Sequence, residues 1–286
     1  MKIFLTGQKG FIGQEILSQA RYAGHEVMGL ERPFRMENPP WGAIEDFSPD
    51  VCIHSAWIAT PGEYTTSPLN KLHRKWSADL IKGLAKCGVR HVVVLGTCAE
   101  YAPSDSPLSE EGSTLAPSSP YAQEKAALHD DLLGMDRESG FTHSWARIFY
   151  PYGLGEHPDR LISSLIRGWK SNHPLQLNNP ECVRDYIHVK DVASALLLLA
   201  TQRYQGTVNV GTGSGIRLGT LDAMIQDRLG KVCLEEANTV ASTAKASSDA
   251  IIAECKKLKD LGWHPYYDIK KGIDSYFDFS AKDYME

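Results

Sequence analysis

The sequence predicts an α/β protein built on a doubly wound parallel sheet. Short apolar runs alternate with amphipathic helical patterns through the first half of the 286-residue chain, and the first run leads directly into a glycine-rich turn and a helix. This alternating order is typical of parallel strands joined by right-handed helical crossovers. The predicted strands lie near 2–5, 25–30, 50–53, 91–95 and 143–149, and the predicted helices near 11–23, 69–87 and 119–139.

The pattern changes at about residue 150. Residues 1–150 carry the alternating order and are predicted to form a dinucleotide-binding domain. Residues 151–286 are predicted to form a smaller C-terminal α/β lobe that mainly binds substrate, while the apolar segment 207–210 is predicted to return a strand to the large sheet. The length suits one large domain or two closely joined ones.

Three glycines follow the first strand at equal spacing, at positions 7, 10 and 13. Gly7 would allow a tight turn, Gly10 would let the backbone approach a pyrophosphate, and Gly13 would let helix and strand pack closely. The helix begins with Phe11 and Ile12, and its free N–H groups and positive dipole end favour phosphate. We therefore predict that this turn, from Gly7 to Gly13, binds a dinucleotide.

Tyr121 and Lys125 are four residues apart in a predicted helix, so they share one face, with Cβ atoms about 5–6 Å apart. An ammonium beside a phenol favours the phenolate and lowers the pKa of tyrosine from about 10. A tyrosine tuned in this way can give or take the proton of a hydroxyl or carbonyl. Thr97 ends the apolar run 92–95, at the sheet edge where ligands bind. It is predicted to hydrogen-bond the substrate oxygen that Tyr121 protonates.

Together these motifs make the chain resemble the extended short-chain dehydrogenase/reductase family, in its nucleotide-sugar epimerase, dehydratase and reductase branch. The resemblance continues in order along nearly the whole chain. It is nearest to 4-ketoreductases of the CDP-abequose synthase type, most clearly in the C-terminal third. Beyond the three motifs, the segments that carry the resemblance are 49–56, 146–153, 182–193, 209–213 and 261–265.

The resemblance implies a Rossmann domain that binds NAD or NADP, and a nucleotide-sugar substrate. In such enzymes the nicotinamide exchanges hydride with a sugar carbon while the tyrosine handles the proton on oxygen. By this resemblance Tyr121 is the catalytic acid or base and also contacts the cofactor, Lys125 tunes it and binds the nicotinamide ribose, and Thr97 orients the sugar oxygen. Ala56 ends a strand that would contact the cofactor.

The reaction class depends on the residues after Thr97. The branch's dehydratases follow this threonine with an Asp-Glu pair, whereas this chain has Cys98 and Ala99, so elimination of water is excluded. Glu100 comes one position late and is predicted to face solvent or to cap the turn. Reduction of a 4-keto-sugar nucleotide is preferred. The alternatives are 4-epimerisation with tightly bound NAD, reduction of small non-sugar ketones, and a cofactor-binding sensor or scaffold without turnover.

The end of the second predicted strand carries two opposing cofactor determinants. Glu31 would hydrogen-bond the adenosine ribose diol and favour NAD. Arg32, with Arg35 nearby, would pair with a 2′-phosphate and favour NADP. We expect NADPH to be used in reduction, with NADH tolerated. Only about 15 residues follow before Phe47, where many relatives place another strand and helix, so the adenosine side is predicted to be open.

Arg184 is predicted to bind the substrate diphosphate, because a guanidinium matches the geometry of phosphate oxygens. An ion pair with Asp185 or Asp191 is the alternative role. Cys98 and Tyr150 are predicted to lie on the substrate side, with Tyr150 standing where many relatives carry an asparagine.

Several other residues receive structural interpretations. Asp191 is predicted to be the N-cap of a helix over 192–200, and His188 to pack or to cap. The tryptophans at 57, 76, 145 and 169 are interpreted as too far apart to form a base-stacking platform, and as core or interface residues. No group of histidines, cysteines and carboxylates has the spacing of a metal site, so no metal is predicted.

Composition limits the partners and the location. The net charge of −5 and the lack of a basic tract argue against nucleic acid, and no apolar run is long enough for a membrane span. The six cysteines form no C-x-x-C pair, and no signal peptide is recognised, so we expect a cytoplasmic protein. The resemblance implies a homodimer formed by the helices near 69–87 and 119–139, where Ala122, Ala126, Ala127 and Leu128 would allow close packing.

Overall fold

The structure is a computed structural model that describes residues 1–30, 38–139, 141–230 and 250–277, with side chains except at 136–139. The strands are β1 (Lys2–Thr6), β2 (Glu26–Gly29), β3 (Val51–His54), β4 (His91–Thr97), β5 (Thr142–Ile148), β6 (Tyr150–Tyr152), β7 (Val183–Arg184), β8 (Tyr186–His188), β9 (Gly206–Val210) and β10 (Ile216–Arg217). The helices are α1 (Phe11–Tyr22), α2 (Trp41–Phe47), α3 (Leu69–Lys86), α4 (Pro120–Ser139), α5 (Leu161–Lys170), α6 (Val189–Gln202), α7 (Leu218–Arg228), α8 (Lys256–Asp260) and α9 (Ile269–Asp274).

Within the described residues, six strands form one parallel sheet in the spatial order β2-β1-β3-β4-β5-β9. The strand order reverses direction beside β1, between β1 and β3, which is where open α/β sheets bind their ligands. The predicted fold class, a doubly wound parallel sheet, is confirmed. The segment predicted to return a strand forms β9, which pairs with β5 at the edge of this sheet.

Side chains that alternate along the strands supply an apolar surface to both faces of the sheet. In β1, Ile3 and Leu5 pack on the face covered by α1 and α6, whereas Phe4 packs on the face covered by α3 and α4. All three side chains are fully buried. Helices on both faces explain why the inner strands read as continuous apolar runs in the sequence.

Among the described residues of the predicted second lobe, two small sheets and the helices α5, α7 and α9 lie outside the large sheet. β6 pairs with β8 in parallel, and β7 pairs with β10 in antiparallel fashion. Leu165 of α5, Leu221 of α7 and Ile273 of α9 are buried in one cluster. The boundary near residue 150 stays a prediction.

Two local features differ from the sequence predictions. The segment before β3 contains the short helix α2, whose Ile44 is buried beneath the sheet. The prediction that Asp191 caps a helix is wrong, because α6 begins at Val189 and His188 is its N-cap. The His188 Nδ1 accepts the Lys190 N–H at 3.3 Å, which places Asp191 inside the first turn and frees its carboxylate for other contacts.

Among the helices that the structure describes, none is both long and apolar enough to cross a membrane.

Candidate active site

The glycine turn after β1 is shaped by close backbone contacts. Gly7 has φ +72°, a conformation that side chains disfavour, and a Cβ there would lie 2.7 Å from Ser55 Oγ and 2.9 Å from the Ala56 nitrogen. The Gly10 N–H donates to the Gly7 carbonyl oxygen at 2.8 Å. The turn therefore brings the ends of β1 and β3 together beneath the start of α1.

Gly13 is required by the turn itself. A Cβ at Gly13 would lie 2.0 Å from the Gly7 carbonyl oxygen, so α1 can approach the turn only with glycine at this position. The first residues of α1, which are Phe11, Ile12 and Gly13, line the cavity above the turn, and the first N–H groups of a helix have no partner within the helix. A tight turn, a closely packed helix and free N–H groups are what a dinucleotide pyrophosphate requires, and these residues fit that cofactor.

A cavity of about 390 Å³ opens above this turn, within the range of small-molecule sites. Its lining includes every described residue predicted to bind only the cofactor. Glu31 and Arg32, the residues predicted to select NAD or NADP, lie outside the described residues. The lining residues are Gly7, Gln8, Lys9, Gly10, Phe11, Ile12, Gly13, Leu30, Ser55, Ala56, Trp57, Ala59, His73, Trp76, Pro151 and Arg160.

A larger groove, of about 760 Å³, runs between α3 and α4, but charged side chains such as Lys71, Arg74 and Asp131 line it. Its lining shares no residue with the predicted site. We therefore assign the site to the smaller cavity, where the glycine turn and the strand ends converge.

An aromatic wall that was not predicted closes one side of the cavity. The His73 ring lies between Trp57 and Trp76, with ring centroids 5.5 Å from each. The Trp57 Nε1 donates to the buried Asn70 side chain at 2.8 Å. The loop after β3 carries Trp57 back onto α3, but His73 lies between the two indoles, so the interpretation that the tryptophans are too far apart for a base-stacking platform stays a prediction. Burial lowers the pKa of His73 to about 4, and its Nδ1 is buried without a hydrogen-bond partner among the described residues.

Tyr121 and Thr97 meet at the end of β4. The Thr97 side chain favours the phenolate of Tyr121, and the Tyr64 ring packs edge-on against Tyr121 with centroids 4.9 Å apart. The sequence predicts a lowered pKa for Tyr121, but the pKa is raised instead, mainly because burial disfavours the phenolate. The phenol is therefore protonated at neutral pH in this arrangement.

Lys125 is fixed beside this pair by contacts with other groups. Its side chain is buried, its Nζ donates to the Leu95 carbonyl oxygen at 2.7 Å, and the ammonium lies 3.9 Å from the Trp57 ring centroid. Burial lowers the pKa of Lys125 to about 7, against an opposing effect of the Glu100 carboxylate. Lys125 thus lies close to its midpoint of protonation at physiological pH.

Glu100 is buried, which contradicts the prediction that it faces solvent and agrees with the alternative that it caps the turn. Its Oε1 accepts the Thr97 N–H at 2.9 Å, and its Oε2 accepts from Arg147 Nε at 2.7 Å. The Trp145 indole N–H lies 3.1 Å from both carboxylate oxygens. The spacing Thr97-x-x-Glu100 is that of a capping box, a signal in the sequence that could have located this contact.

The residues predicted on the substrate side form a second group next to Thr97. Cys98 is buried against Tyr150, and burial raises the pKa of the Cys98 thiol to about 12, so the thiol is neutral. The Arg184 guanidinium lies 5.6 Å from the Tyr150 ring centroid, and its Nη1 donates to the Val183 carbonyl oxygen at 2.9 Å. The structure therefore brings Cys98, Tyr150 and Arg184 together.

Asp185 and Asp191, near Arg184 in the sequence, accept hydrogen bonds from backbone N–H groups of distant segments. The Asp185 carboxylate accepts N–H groups of Thr212, Gly213 and Ala253 at 3.0, 2.9 and 3.1 Å. The Asp191 carboxylate accepts the N–H groups at 266 and 267 at 3.0 and 2.9 Å. Both carboxylates are buried, and they tie the C-terminal part of the chain to the substrate side.

Arg160 was not singled out in the sequence, and no local pattern marks it. It is the residue before α5, its side chain is partly exposed, and it lines the same cavity as the glycine turn. Its charge also acts on Tyr186, whose ring lies 5.6 Å from that of Tyr150. Arg160 therefore stands between the cavity above the glycine turn and the group formed by Cys98, Tyr150 and Arg184.

The chain is similar to known proteins over nearly its whole length. Residues 3–211 match the NAD dependent epimerase/dehydratase family. The UDP-glucose 4-epimerase of Rhizobium leguminosarum bv. trifolii is 25% identical, over 98% of this chain and 97% of its own length. The CDP-abequose synthase of Salmonella typhimurium is 25% identical, over 95% of this chain and 96% of its own length. The crystal structure of the Thermus thermophilus UDP-glucose 4-epimerase in complex with NAD has a TM-score of 0.78 and 23% identity, covering 98% of this chain and 100% of that one. At this identity the structural likeness concerns the fold.

Proposed function

Because the chain belongs to the NAD dependent epimerase/dehydratase family, we propose that it is an NAD(P)H-dependent 4-ketoreductase of a nucleotide-diphospho-(deoxy)sugar. The observation that carries this proposal is the Tyr121 phenol at the end of β4 beside Lys125, with a pKa that desolvation raises so that it stays protonated at neutral pH. Reduction of a ketone needs a proton donor at the oxygen, whereas epimerisation begins with oxidation and needs a base. Cys98 and Ala99, in place of an acidic pair, support the exclusion of dehydration.

The proposed roles follow from the geometry. The bound nicotinamide would supply the hydride that forms the new C–H bond at C4. Tyr121 donates its phenolic proton to the C4 oxygen, which becomes the product hydroxyl, and Thr97 orients that oxygen. Lys125 binds the nicotinamide ribose and, when protonated, stabilises the phenolate that remains. Arg184 is proposed to bind the substrate diphosphate, and Arg160 the pyrophosphate of the dinucleotide.

The cofactor preference is part of the proposal. The family is NAD dependent, and the glycine cradle fits either dinucleotide. The slight preference for NADPH rests on the sequence position of Arg32, and Glu31 is the reason why NADH should be tolerated. Arg32→Ala should lower kcat/KM with NADPH relative to kcat/KM with NADH. A tenfold fall in this ratio would support the preference for NADPH.

A second candidate function is 4-epimerisation with retained NAD, which the full-length similarity to a UDP-glucose 4-epimerase favours. A third, of another class, is a cofactor-binding sensor or scaffold without turnover. The buried Lys125 counts against it, because a protein without turnover has no need of a buried ammonium 6.0 Å from a phenol ring.

The deciding experiment begins with the cofactor content of the purified protein. The protein is denatured and any released nucleotide is identified. An empty protein that then oxidises NADPH with a 4-keto-6-deoxy nucleotide sugar supports the reductase. Tyr121→Phe should lower that rate by about 10²–10⁴-fold with cofactor affinity unchanged. NAD released only on unfolding, together with interconversion of 4-epimers, would favour the epimerase, and cofactor binding without turnover would favour the sensor.

A homodimer through α3 and α4 is expected, although Ala122 and Leu128 are already buried within the chain's own fold, so a partner would meet the charged groove instead. A cytoplasmic location is supported by the described cysteines, all of which are free thiols. A molar mass of one chain, measured by light scattering, would contradict the expected homodimer.

A further inference from the structure

A buried asparagine joins the loop after β3 to the first turn of α3. The Asn70 side chain is 1% exposed. Its Oδ1 accepts the Trp57 indole N–H at 2.8 Å, and its Nδ2 donates to the Tyr64 and Ser67 carbonyl oxygens at 2.7 and 2.9 Å. Both donors of the amide are therefore used, and its oxygen has a partner. One side chain thus holds two aromatic residues of the loop, Trp57 by its ring and Tyr64 by its backbone.

The two aromatic residues that Asn70 holds both pack against Tyr121. The Tyr64 ring meets the Tyr121 ring edge-on, with centroids 4.9 Å apart and planes at 88°. The Trp57 ring meets it in a similar T-shaped arrangement, at 6.4 Å and 76°. Edge-to-face contacts at such distances are favourable and directional. The positions of these two rings therefore determine where the Tyr121 ring lies.

The same loop also holds the backbone of Tyr121. Tyr121 is in the first turn of α4, where an N–H group has no partner within the helix. The Thr65 carbonyl oxygen accepts this N–H at 3.1 Å, and Thr65 follows Tyr64 directly in the chain. Because Asn70 binds the Tyr64 carbonyl oxygen at 2.7 Å, it holds the peptide group that joins these two contact residues.

Trp57 extends this arrangement to Lys125. The Lys125 Nζ lies 3.9 Å from the centre of the Trp57 ring, and such a contact depends on the face that the indole presents. The hydrogen bond from Trp57 Nε1 to Asn70 fixes the orientation of the indole. Asn70 is not among the described residues that line the cofactor cavity, so it can act on Tyr121 and Lys125 only through the loop.

We propose that Asn70 is a positioning residue, whose side-chain amide holds Trp57 and Tyr64 so that they keep Tyr121 and Lys125 in place. The roles of Tyr121 and Lys125 in reduction rest on the proposed function. The placement of their side chains does not, because it can be measured without substrate.

Two NMR signals measure this placement in the intact protein. The Trp57 indole N–H is assigned by its loss in Trp57→Phe, and the ring signal of 13C-labelled Tyr121 by its loss in Tyr121→Phe. Asn70→Leu keeps roughly the volume of the side chain and removes all of its hydrogen bonds. We expect faster hydrogen exchange at the Trp57 indole, and a Tyr121 ring signal that moves away from its position in the parent.

Asn209→Leu is a matched control elsewhere in the fold. Asn209 is fully buried, accepts the Tyr101 hydroxyl at 2.8 Å, and donates to the Leu108 and Glu254 carbonyl oxygens at 2.7 and 3.3 Å. Its replacement removes the same kinds of hydrogen bond and should lower the urea midpoint of unfolding in the same way. We expect both NMR signals to stay in place in this variant, so that an effect of Asn70→Leu cannot come from destabilisation alone.

Asn70→Ser is the second variant, used if Asn70→Leu does not fold. The serine hydroxyl ends closer to the backbone than the amide groups do, so it cannot keep all the contacts of Asn70, while water can satisfy the carbonyl oxygens of the loop. We expect the same displacement of the Tyr121 signal. An unchanged Tyr121 signal in a folded Asn70 variant, or an equal displacement in Asn209→Leu, would overturn the proposal.

Turnover gives an independent readout. If the reductase function holds, the folded Asn70 variants should lower kcat by about 10- to 100-fold, as expected for a misplaced reacting group, with KM for the 4-keto-6-deoxy nucleotide sugar unchanged. An unchanged kcat would overturn the positioning role. If the reductase function fails, the parent itself shows no turnover, while the displacement of the Tyr121 signal is still present. The two failures are therefore distinguishable.

Discussion

The ammonium of Lys125 lies 3.9 Å from the centre of the Trp57 ring, while the centre of the Tyr121 ring is 6.0 Å away. A hydrogen bond to the Leu95 carbonyl oxygen at 2.7 Å completes the hold on the ammonium. Lys125, which the sequence pairs with Tyr121, is therefore held in place by the Trp57 indole and by a backbone carbonyl of β4. Trp57 was not among the predicted site residues, and its contact with Lys125 gives it a measurable role.

Trp57→Leu should lower kcat/KM at neutral pH by roughly 30-fold. A desolvated cation–π contact contributes about 2 kcal/mol, and its loss disfavours the charged form of Lys125. Steady-state rates at pH 7 with a 4-keto-6-deoxy nucleotide sugar as substrate would measure the effect. Trp169→Leu changes an indole that hydrogen-bonds Asp222 in the second lobe. An equal loss in both variants would refute a specific role for Trp57.

Gly13→Ala should abolish measurable cofactor binding, with at least a hundredfold increase in Kd. The new Cβ would lie 2.0 Å from the Gly7 carbonyl oxygen, so the turn and α1 must separate, and the N–H groups lose their alignment. Titration with NADH or NADPH, followed by nucleotide fluorescence, measures the change. Gly42→Ala, where a Cβ meets no atom within 4 Å, should bind normally. Unchanged affinity in Gly13→Ala would show that the cofactor binds elsewhere.

Arg160→Gln and Arg184→Gln should separate two diphosphate contacts. Arg160 lines the cofactor cavity and Arg184 lies against Tyr150. We therefore expect Arg160→Gln to weaken binding of the dinucleotide by about tenfold, and Arg184→Gln to weaken binding of free nucleoside diphosphates by a similar factor, as a charge-assisted hydrogen bond is worth about 1.5–3 kcal/mol. Calorimetry with each ligand measures both. Arg167→Gln, whose exposed side chain pairs with Asp159, is the control. If Arg160→Gln weakened only the nucleoside diphosphates and Arg184→Gln only the dinucleotide, the two assignments would have to be exchanged.

The buried histidines should make the protein acid-sensitive. His54 lies between Thr6 and Ser77, 2.8 Å from each hydroxyl, and burial lowers its pKa to about 3. Between about pH 6.5 and pH 3 the unfolded chain binds a proton at His54 that the folded protein does not, so the free energy of unfolding falls as pH falls. The same direction applies to His73, His91, His129 and His188.

Urea unfolding at several pH values measures this slope. His54→Gln should reduce the slope by up to about 1.4 kcal/mol per pH unit, whereas His157→Gln, an exposed residue outside the core, should leave it unchanged. Identical slopes in parent and His54→Gln would contradict the assignment.

The fold and the centre of the site were predictable because they depend on local patterns. Gly7 and Gly13 mark a turn that only glycine can form, and the apolar runs mark strands that are buried on both faces. Tyr121 and Lys125 were found by helical spacing, and Thr97 by its place at a strand end. Each of these signals lies within a short stretch of the chain.

The remaining features depend on contacts between distant segments. Trp57 reaches Lys125 across 68 positions in the sequence, and Arg160 enters the cofactor cavity from the second lobe. Burial reversed the predicted direction of the Tyr121 pKa, because desolvation depends on the whole fold and not on a neighbour four residues away. Asp191 was predicted as a cap from its position, yet its carboxylate binds N–H groups about 75 residues further along.

The contacts of Asp185 and Asp191 set an order of events for a chain that is still being synthesised. The six strands of the sheet are complete by Val210, but the N–H groups that satisfy these two carboxylates extend to Ala253 and Tyr267. A growing chain therefore has its nucleotide turn well before the substrate side can close. We expect nascent protein to recognise the dinucleotide first and to acquire its sugar-binding surface among the last steps of maturation.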